Sequence, residues 1–336
     1  MVAIHKSHKN KTRGDLMEQS QKRKDMIKVS KLYYFGNMSQ DEIARLMGIS
    51  RPKVSRLLSE ARQLNIVQIT VNDSHVSNDE NAQLLQRHFG LQYVRIVPSG
   101  NCDDAAKTNV GLAASQLLNA RIQENSIIGI AWGTTLAAFA RVFQSDRPVP
   151  GAKVVQLVGG TYSQSLNIDG RELVKSISKK LQCEHRLLQA PFIVHNPALR
   201  DLLMQEPAVK DHFRLVHNLD MAFVGIGTSY YKDSIAFRGH YLEENEAREL
   251  SDLGVVCDIC GHQLLPDGSE PDTFLTSRIV GVTLEDLDRV PFVVGLCAGH
   301  KKVTPLLAAL HGRHLDAMII DEVAAISLLA KLPDLN

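Results

Sequence analysis

Apolar and polar positions follow one rule up to about residue 64 and another beyond residue 80. In the first stretch apolar residues recur at helical spacing, which predicts packed helices. Periodicity begins near Lys24, with Ile27, Leu32, Tyr34 and Phe35 marking an apolar face, and Gly36-Asn37 ends it. Ser39 then stands as the cap of a second helix. With Glu42 three residues on, it predicts a capping box that satisfies two otherwise unpaired backbone donors. Gly48 closes that helix. Ser50 is placed to cap a third, with Pro52 in its first turn, where a missing N–H costs nothing, and the helix runs to about Leu64. The β-branched stretch 66–71 reads either as a wing or as a strand leading out of the domain.

Residues 72–79 (NDSHVSND) are polar and turn-prone, so a linker over 73–79 is expected there. A helix is predicted over 80–89. Strand-like runs follow at 93–97, 126–131, 153–158, 185–188, 221–226, 255–257, 292–296 and 317–320. Helical runs at 105–121, 135–143, 170–181 and 303–310 lie between them. Strands separated by helices predict a mostly parallel sheet covered on both faces. The domain plan is a basic tail (1–24), a helical DNA-binding domain (25–72), the linker, and an α/β domain (80–332).

The net charge of +1 hides an asymmetry. Residues 1–62 hold 14 Lys/Arg against 6 Asp/Glu, and the remainder holds 24 against 31. A basic head on an acidic body is the footprint of a polyanion-binding module joined to something else. Residues 1–24 lack apolar periodicity and are expected to be disordered; they also lack the apolar core of a signal peptide. With no run of about 18 apolar residues anywhere, the sequence predicts no membrane partner and cytoplasmic residence. The five cysteines (102, 183, 257, 260 and 297) are then reduced thiols. Cys257-x-x-Cys260 with His262 invites a zinc reading. No second ligand pair stands at the usual spacing, and a strand over 255–260 would turn the two thiols to opposite faces, so no metal is expected.

The head carries the most specific signal. With Gln40 as the first position of a twenty-residue helix-turn-helix window, Ala44 falls at the fifth, Gly48 at the ninth, Val54 at the fifteenth and Leu57 at the eighteenth. Ala44 is small where two helices cross. Gly48 supplies the backbone conformation of the tight turn. Val54 and Leu57 bury the inner face of the second helix. Ser39 and Gln40, with Ser50, Arg51, Lys53, Ser55 and Arg56 on the outward face, are the residues placed to touch DNA near the helix N-termini. Any basic residue among them can meet phosphate as readily as a base edge. One such module buries little DNA surface, so dimerised copies reading two half-sites are expected.

With this motif in place, the chain resembles the sorbitol-operon regulator (SorC) family of bacterial transcription factors over residues 26–329. In the head the resemblance lies in MIKVSKLYYFGNMSQDEIARLMGISRPKVSRLLSEA. In the body it lies in GIAWGTTL (129–136), LVGG (157–160), AP (190–191), VGIGT (224–228), VCDICG (256–261), SRIVGVTLEDL (277–287), LCAGHKKVTPLLAAL (296–310) and IIDEVAAISLL (319–329). The resemblance implies a Rossmann-like sensor domain that binds a phosphorylated sugar or related metabolite, altering operator binding, in a homo-oligomer, often a tetramer. No cofactor and no catalysis are expected. Carried over residue by residue, the resemblance places Gly133, Thr134 and Thr135 of one turn, Gly299, His300 and Lys302 of another, and Asp258 and Arg278 around the effector. The chain departs from the family in carrying Cys257 where glycine is usual and His300 within the last turn.

The residues themselves support part of that set. Gly133-Thr134-Thr135 lies between an apolar strand and a helix, and helix N-termini with free N–H groups bind anions. Gly299 to Lys302 repeats the arrangement; a plain helix cap explains either turn equally well. Neither turn has P-loop or dinucleotide spacing. Because the implied fold also resembles sugar-phosphate isomerases and deaminases, Asp258 with His262 or His300 is a conceivable acid–base pair, supported only by nearness to glycine turns.

Overall fold

In the computed structural model the described residues are 13–64, 66–67, 78–160, 169–230, 234, 237 and 241–332. The chain divides into two compact units, Met1–Asp73 and Ser74–Asn336. Stretch 66–71, read as a wing or strand, falls mostly outside the described residues, as does the linker up to residue 77.

Among the described residues the first unit is three helices: α1 (Arg13–Tyr34), α2 (Gln40–Met47) and α3 (Arg51–Gln63). Met26, Val29, Ile43, Ala44, Val54, Leu57, Leu58 and Ala61 form its core. Two expectations need correction here. Residues 13–24 are helical, continuous with the segment that packs, so disorder over 1–24 does not hold for them. The buried face of α1 is Met26, Val29 and Ser30, while Ile27 and Phe35 are exposed, Phe35 at 84%. The notional face through Ile27 and Phe35 came from counting apolar residues; the packed side is set by Ile43 and Val54 opposite.

The second unit opens with α4 (Asn78–Phe89), so Asn78 and Asp79 belong to a helix and not to a linker. Then come β1 (Tyr93–Val97), α5 (Asp103–Arg121), β2 (Ile127–Ile130), α6 (Thr134–Val142), β3 (Lys153–Gln156), α7 (Gly170–Leu181) and β4 (Glu184–Arg186). After α8 (Pro197–Gln205) and α9 (Pro207–Val216) follow β5 (Met221–Gly225), β6 (Gly227–Thr228), α10 (Glu244–Asp252), β7 (Cys257–Ile259) and β8 (His262–Leu264). The chain closes with α11 (Leu284–Asp288), β9 (Val293–Cys297), α12 (Val303–His311), β10 (Ala317–Asp321) and α13 (Glu322–Leu329).

Seven strands form one sheet, ordered β1-β10-β9-β5-β2-β3-β4, and every pairing in it is parallel. Val293–Cys297 and Ala317–Asp321 are buried at every position, as inner parallel strands covered on both faces must be. Edge strand β4 (EHR) is exposed throughout and carries charge, which discourages pairing with another chain. The remaining strands make a small antiparallel sheet, β6-β7-β8.

Strand order reverses between β2 and β5. From β2 the chain builds outward through β3 and β4, then returns to lay β5 on the other side of β2 and continues to β9 and β10. Connections leaving β2 and β5 therefore diverge, and open sheets of this kind hold ligands in the crevice beyond the carboxyl ends of such strands.

Candidate functional site

The surface expected to face DNA is built by two caps and a turn. Ser39 N–H donates to Glu42 Oε2 at 2.8 Å, and Glu42 N–H donates back to Ser39 Oγ at 3.3 Å, which is the capping box. The Ser39 N–H, together with the Ser39 hydroxyl that also donates to Oε2 at 2.8 Å, holds the exposed Glu42 carboxyl below the usual carboxylate range. Gly48 sits in the left-handed region (φ 65°, ψ 33°) and its N–H reaches the carbonyls of Ala44 and Arg45. Ala44, Val54 and Leu57 are buried between the helices. Ser50 occupies the cap of α3 in extended conformation, but its side chain makes no capping hydrogen bond, so the expected cap is backbone only. Ser39, Ser50, Arg51, Lys53, Ser55 and Arg56 are exposed and Gln40 is half-buried.

In the second unit a cleft of about 600 Å³ of empty space, part of it open to solvent, lies beyond the carboxyl ends of β2 and β5. Its lining includes Trp132 to Thr135 after β2, Gly225 to Thr228 after β5, Asp258 and Cys260 from the small sheet, and Lys302 after β9. Gly133 takes φ 129° at the N-cap of α6, a conformation that disfavours any side chain, and its carbonyl accepts the first helical bond, from Ala137. The N–H groups before Ala137 thus have no carbonyl within their own helix. Thr134 is exposed at the mouth and Thr135 is buried.

Asp258 reaches the cleft from β7. The β7–β8 hairpin turns on Cys260 and Gly261, both at positive φ (55° and 97°), as a type I′ turn requires. That corrects the expected strand over 255–260: Cys260 is in the turn and is one of the residues lining the cleft. Asp258 Oδ2 accepts from Gln263 Nε2 at 2.7 Å and Oδ1 from Gly261 N–H at 3.3 Å. Gln263 is itself held by Ser229, whose hydroxyl lies 2.6 Å from Gln263 Oε1. Burial raises the Asp258 pKa above the ordinary range, against the pull of those bonds and of the His262 and Lys302 charges. Cys257 and Cys297 are buried thiols beneath, both pushed up by burial, Cys297 to about 12.

Lys302 is half-buried at the N-cap of α12, and among the described residues its ammonium has neither a hydrogen bond nor an ion-pair partner. The rest of the second glycine turn is engaged elsewhere. Gly299, at φ 91°, donates its N–H to Asp321 Oδ1 at 2.7 Å, and His300 is exposed outside the cleft lining. Arg278 does not join the cleft either. Buried, it donates to Glu246 Oε1 at 2.6 Å and to the Val194 carbonyl at 2.8 Å, and it rides over the Phe274 ring. His262 presents one ring nitrogen to Glu270 at 2.7 Å and the other to the Val282 carbonyl at 2.9 Å.

Of the residues singled out in the sequence, the structure thus brings together Gly133, Thr134, Thr135, Asp258 and Lys302. It adds Trp132, Ile226, Thr228 and Cys260, which the sequence reading did not select as site residues, and Gln263 behind Asp258. The VGIGT patch after β5 was the available signal for Ile226 and Thr228. Nothing in the sequence marks Gln263.

Residues 73–330 match the domain family described as "Putative sugar-binding domain", and residues 31–64 match "Sigma-70, region 4". The chain is 28% identical over 307 residues to the deoxyribonucleoside regulator of Bacillus subtilis, covering 91% of this chain and 97% of that protein. It is 27% identical over 318 residues to the sorbitol operon regulator of Klebsiella pneumoniae, covering 93% and 100%. The crystal structure of the full-length Klebsiella regulator superimposes with a TM-score of 0.70 at 26% identity, over 92% of this chain and 99% of that one. These relatives are named as regulators, and among the described residues no helix is long and apolar enough to cross a membrane. With a sugar-binding domain matched over most of its length and a helix-turn-helix ahead of it, this chain belongs to the SorC family of sugar-binding transcriptional regulators.

Proposed function

We propose that the cleft binds a phosphorylated sugar, that binding alters operator affinity, and that the protein works as a homo-oligomer without catalysing a reaction. The observation that carries this reading is the Lys302 ammonium, unpaired among the described residues, lining the same cleft as the N-terminus of α6. A phosphate there meets backbone N–H groups, the Thr134 and Thr135 hydroxyls, the favourable end of the helix dipole and a mobile cation. Asp258, fixed by Gln263, accepts hydrogen bonds from the sugar hydroxyls. Gly299 and His300 are left out of this pocket, the first by its bond to Asp321, and Arg278 by its ion pair with Glu246. An isomerase would need an acid and a base flanking a substrate carbon. Here both nitrogens of His262 are turned to Glu270 and Val282, which leaves Asp258 without that partner and supports binding over turnover.

On the DNA side, Ser39, Gln40, Ser50, Arg51, Lys53, Ser55 and Arg56 form the contact surface, with α3 in the major groove. The test of the effector reading is calorimetric titration with matched sugar and sugar-phosphate pairs. The phosphate ester binds wild type far more tightly than the free sugar, and Lys302→Ala loses that preference while still binding DNA. Equal affinity for both members of every pair, or an unchanged preference in the variant, refutes the phosphate pocket.

A further inference from the structure

Arg51 is the first residue of α3 and points into solvent, yet it is not alone. Its Nε lies 3.7 Å from Oδ1 of Asp41, a residue of the first turn of α2. Among the described residues, the other cations of the outward face, Lys53 and Arg56, have no carboxylate within ion-pair reach. A carboxylate on a surface meant for phosphates is a liability, because it repels the polyanion that the neighbouring cations attract. Its placement therefore calls for a specific use.

The guanidinium has two edges. One is formed by Nε and the nearer terminal nitrogen, the other by the two terminal nitrogens. Asp41 stands on the Nε side, leaving the outer edge for a partner. That edge matches the O6 and N7 acceptors of guanine in the major groove, the commonest bidentate contact made by arginine. Arg51 also sits where a recognition helix reads bases, at its N-terminal end. Pro52 fixes φ beside it and so stiffens the stem that carries it. Lys53 and Arg56, unpaired, remain mobile cations suited to phosphate.

We propose that Arg51 reads a guanine in each half-site and that Asp41 is its positioning residue, holding the guanidinium plane toward the base. The inference rests on α3 being the recognition helix. In the complex the exposed pair loses water, and a charge–charge contact that is weak in the free protein becomes stronger.

The experiment is selection of bound duplexes from a randomised library by the full chain, performed with wild type, Arg51→Lys and Asp41→Asn. Each protein's affinity for a mixed-sequence duplex and its thermal midpoint are measured alongside. Wild type enriches sites with a guanine at the same position of both half-sites, by about 5- to 150-fold over other bases, the worth of one bidentate pair. Arg51→Lys loses the guanine preference, because lysine offers a point charge in place of the two-pronged edge. Asp41→Asn folds as wild type, binds mixed-sequence DNA as tightly or more tightly, and discriminates guanine several-fold less well. A guanine preference undiminished in Asp41→Asn overturns the positioning role, and one undiminished in Arg51→Lys overturns the reading role. If wild type enriches no sequence while Lys302→Ala and wild type still differ in binding sugar phosphate, the fault lies with α3 as the recognition helix and not with the pair.

Discussion

His262 has an oxygen opposite each ring nitrogen, and an imidazole can satisfy two acceptors only when both nitrogens carry a proton. Burial, the largest influence on it, acts to lower its pKa. The Glu270 hydrogen bond and charge, the Val282 carbonyl and the Asp258 charge together outweigh that and raise it. The native state then binds this proton more tightly than the unfolded chain does. The stabilisation is complete below the ordinary value of 6.5 and is lost as pH rises through the raised native value. Urea unfolding should accordingly show stability falling as pH rises above the ordinary value of 6.5, with the fall flattened in Glu270→Gln. Equal slopes in both proteins would mean that His262 is neutral in the fold. Because His262 is in the hairpin that presents Asp258, effector affinity should weaken over the same interval. Such groups also mark where sequence reading stops. Arg278 and Lys302 look alike in a string, each a cation near a glycine. What separates them is Glu246, 32 residues before Arg278 in the chain, which engages one and leaves the other free.

Helices α5 and α6 touch at Gly111, where a Cβ would stand 2.8 Å from the Phe139 nitrogen and 2.9 Å from its Cα. Those are backbone atoms of a buried helix, so they cannot swing aside as the end of a side chain would. Gly111→Ala should force the helices apart and cost about 1–3 kcal/mol, the usual penalty of overpacking. The measurement is a denaturant midpoint, and a loss below about 0.5 kcal/mol would show that the pair slides freely. This contact was invisible in the sequence, where Gly111 reads only as a weak helix residue. Other elements were plain. The strand over Tyr93–Val97 and the helix over Gly170–Leu181 come out to the residue, since β1 is a short run rich in β-branched residues, broken only by the exposed Arg95, and α7 carries one strong apolar face. Helix α8 buries no side chain fully, so it leaves no periodic trace. The two-residue β6 and three-residue β8 exist through pairing with β7, a tertiary fact with no local signature. The early turns of α1 are polar, and apolar periodicity reports only the side of a helix that packs. The candidate site was legible as glycine turns following apolar strands; that three such turns face one cleft follows from the strand order, which no single stretch of sequence encodes.

At the scale of the molecule the question is how a sugar in one compact unit can change what the other does to DNA. Among the described residues the first unit has a small core of its own, eight buried apolar residues from three helices, and an outward helix to read with. A single module of that size covers little duplex, and tight operator binding then needs two copies held at fixed spacing. If the second unit supplies that spacing through oligomer contacts, an effector acts by preferring one quaternary arrangement over another, and its leverage is limited to the difference in its affinity for the two. The full chain should therefore sediment as a dimer or tetramer. A fragment of residues 1–73 should sediment as a monomer and bind a mixed-sequence duplex at least tenfold more weakly, with a shallower dependence on salt because fewer phosphates are neutralised per complex. Circular dichroism establishes that the fragment is helical before the comparison is made. A folded, monomeric fragment that binds as tightly as the full chain, with the same salt slope, would show that the second unit contributes nothing to operator affinity. A sugar phosphate could then act only by blocking the DNA surface directly, and Lys302→Ala would abolish that block without any change in sedimentation.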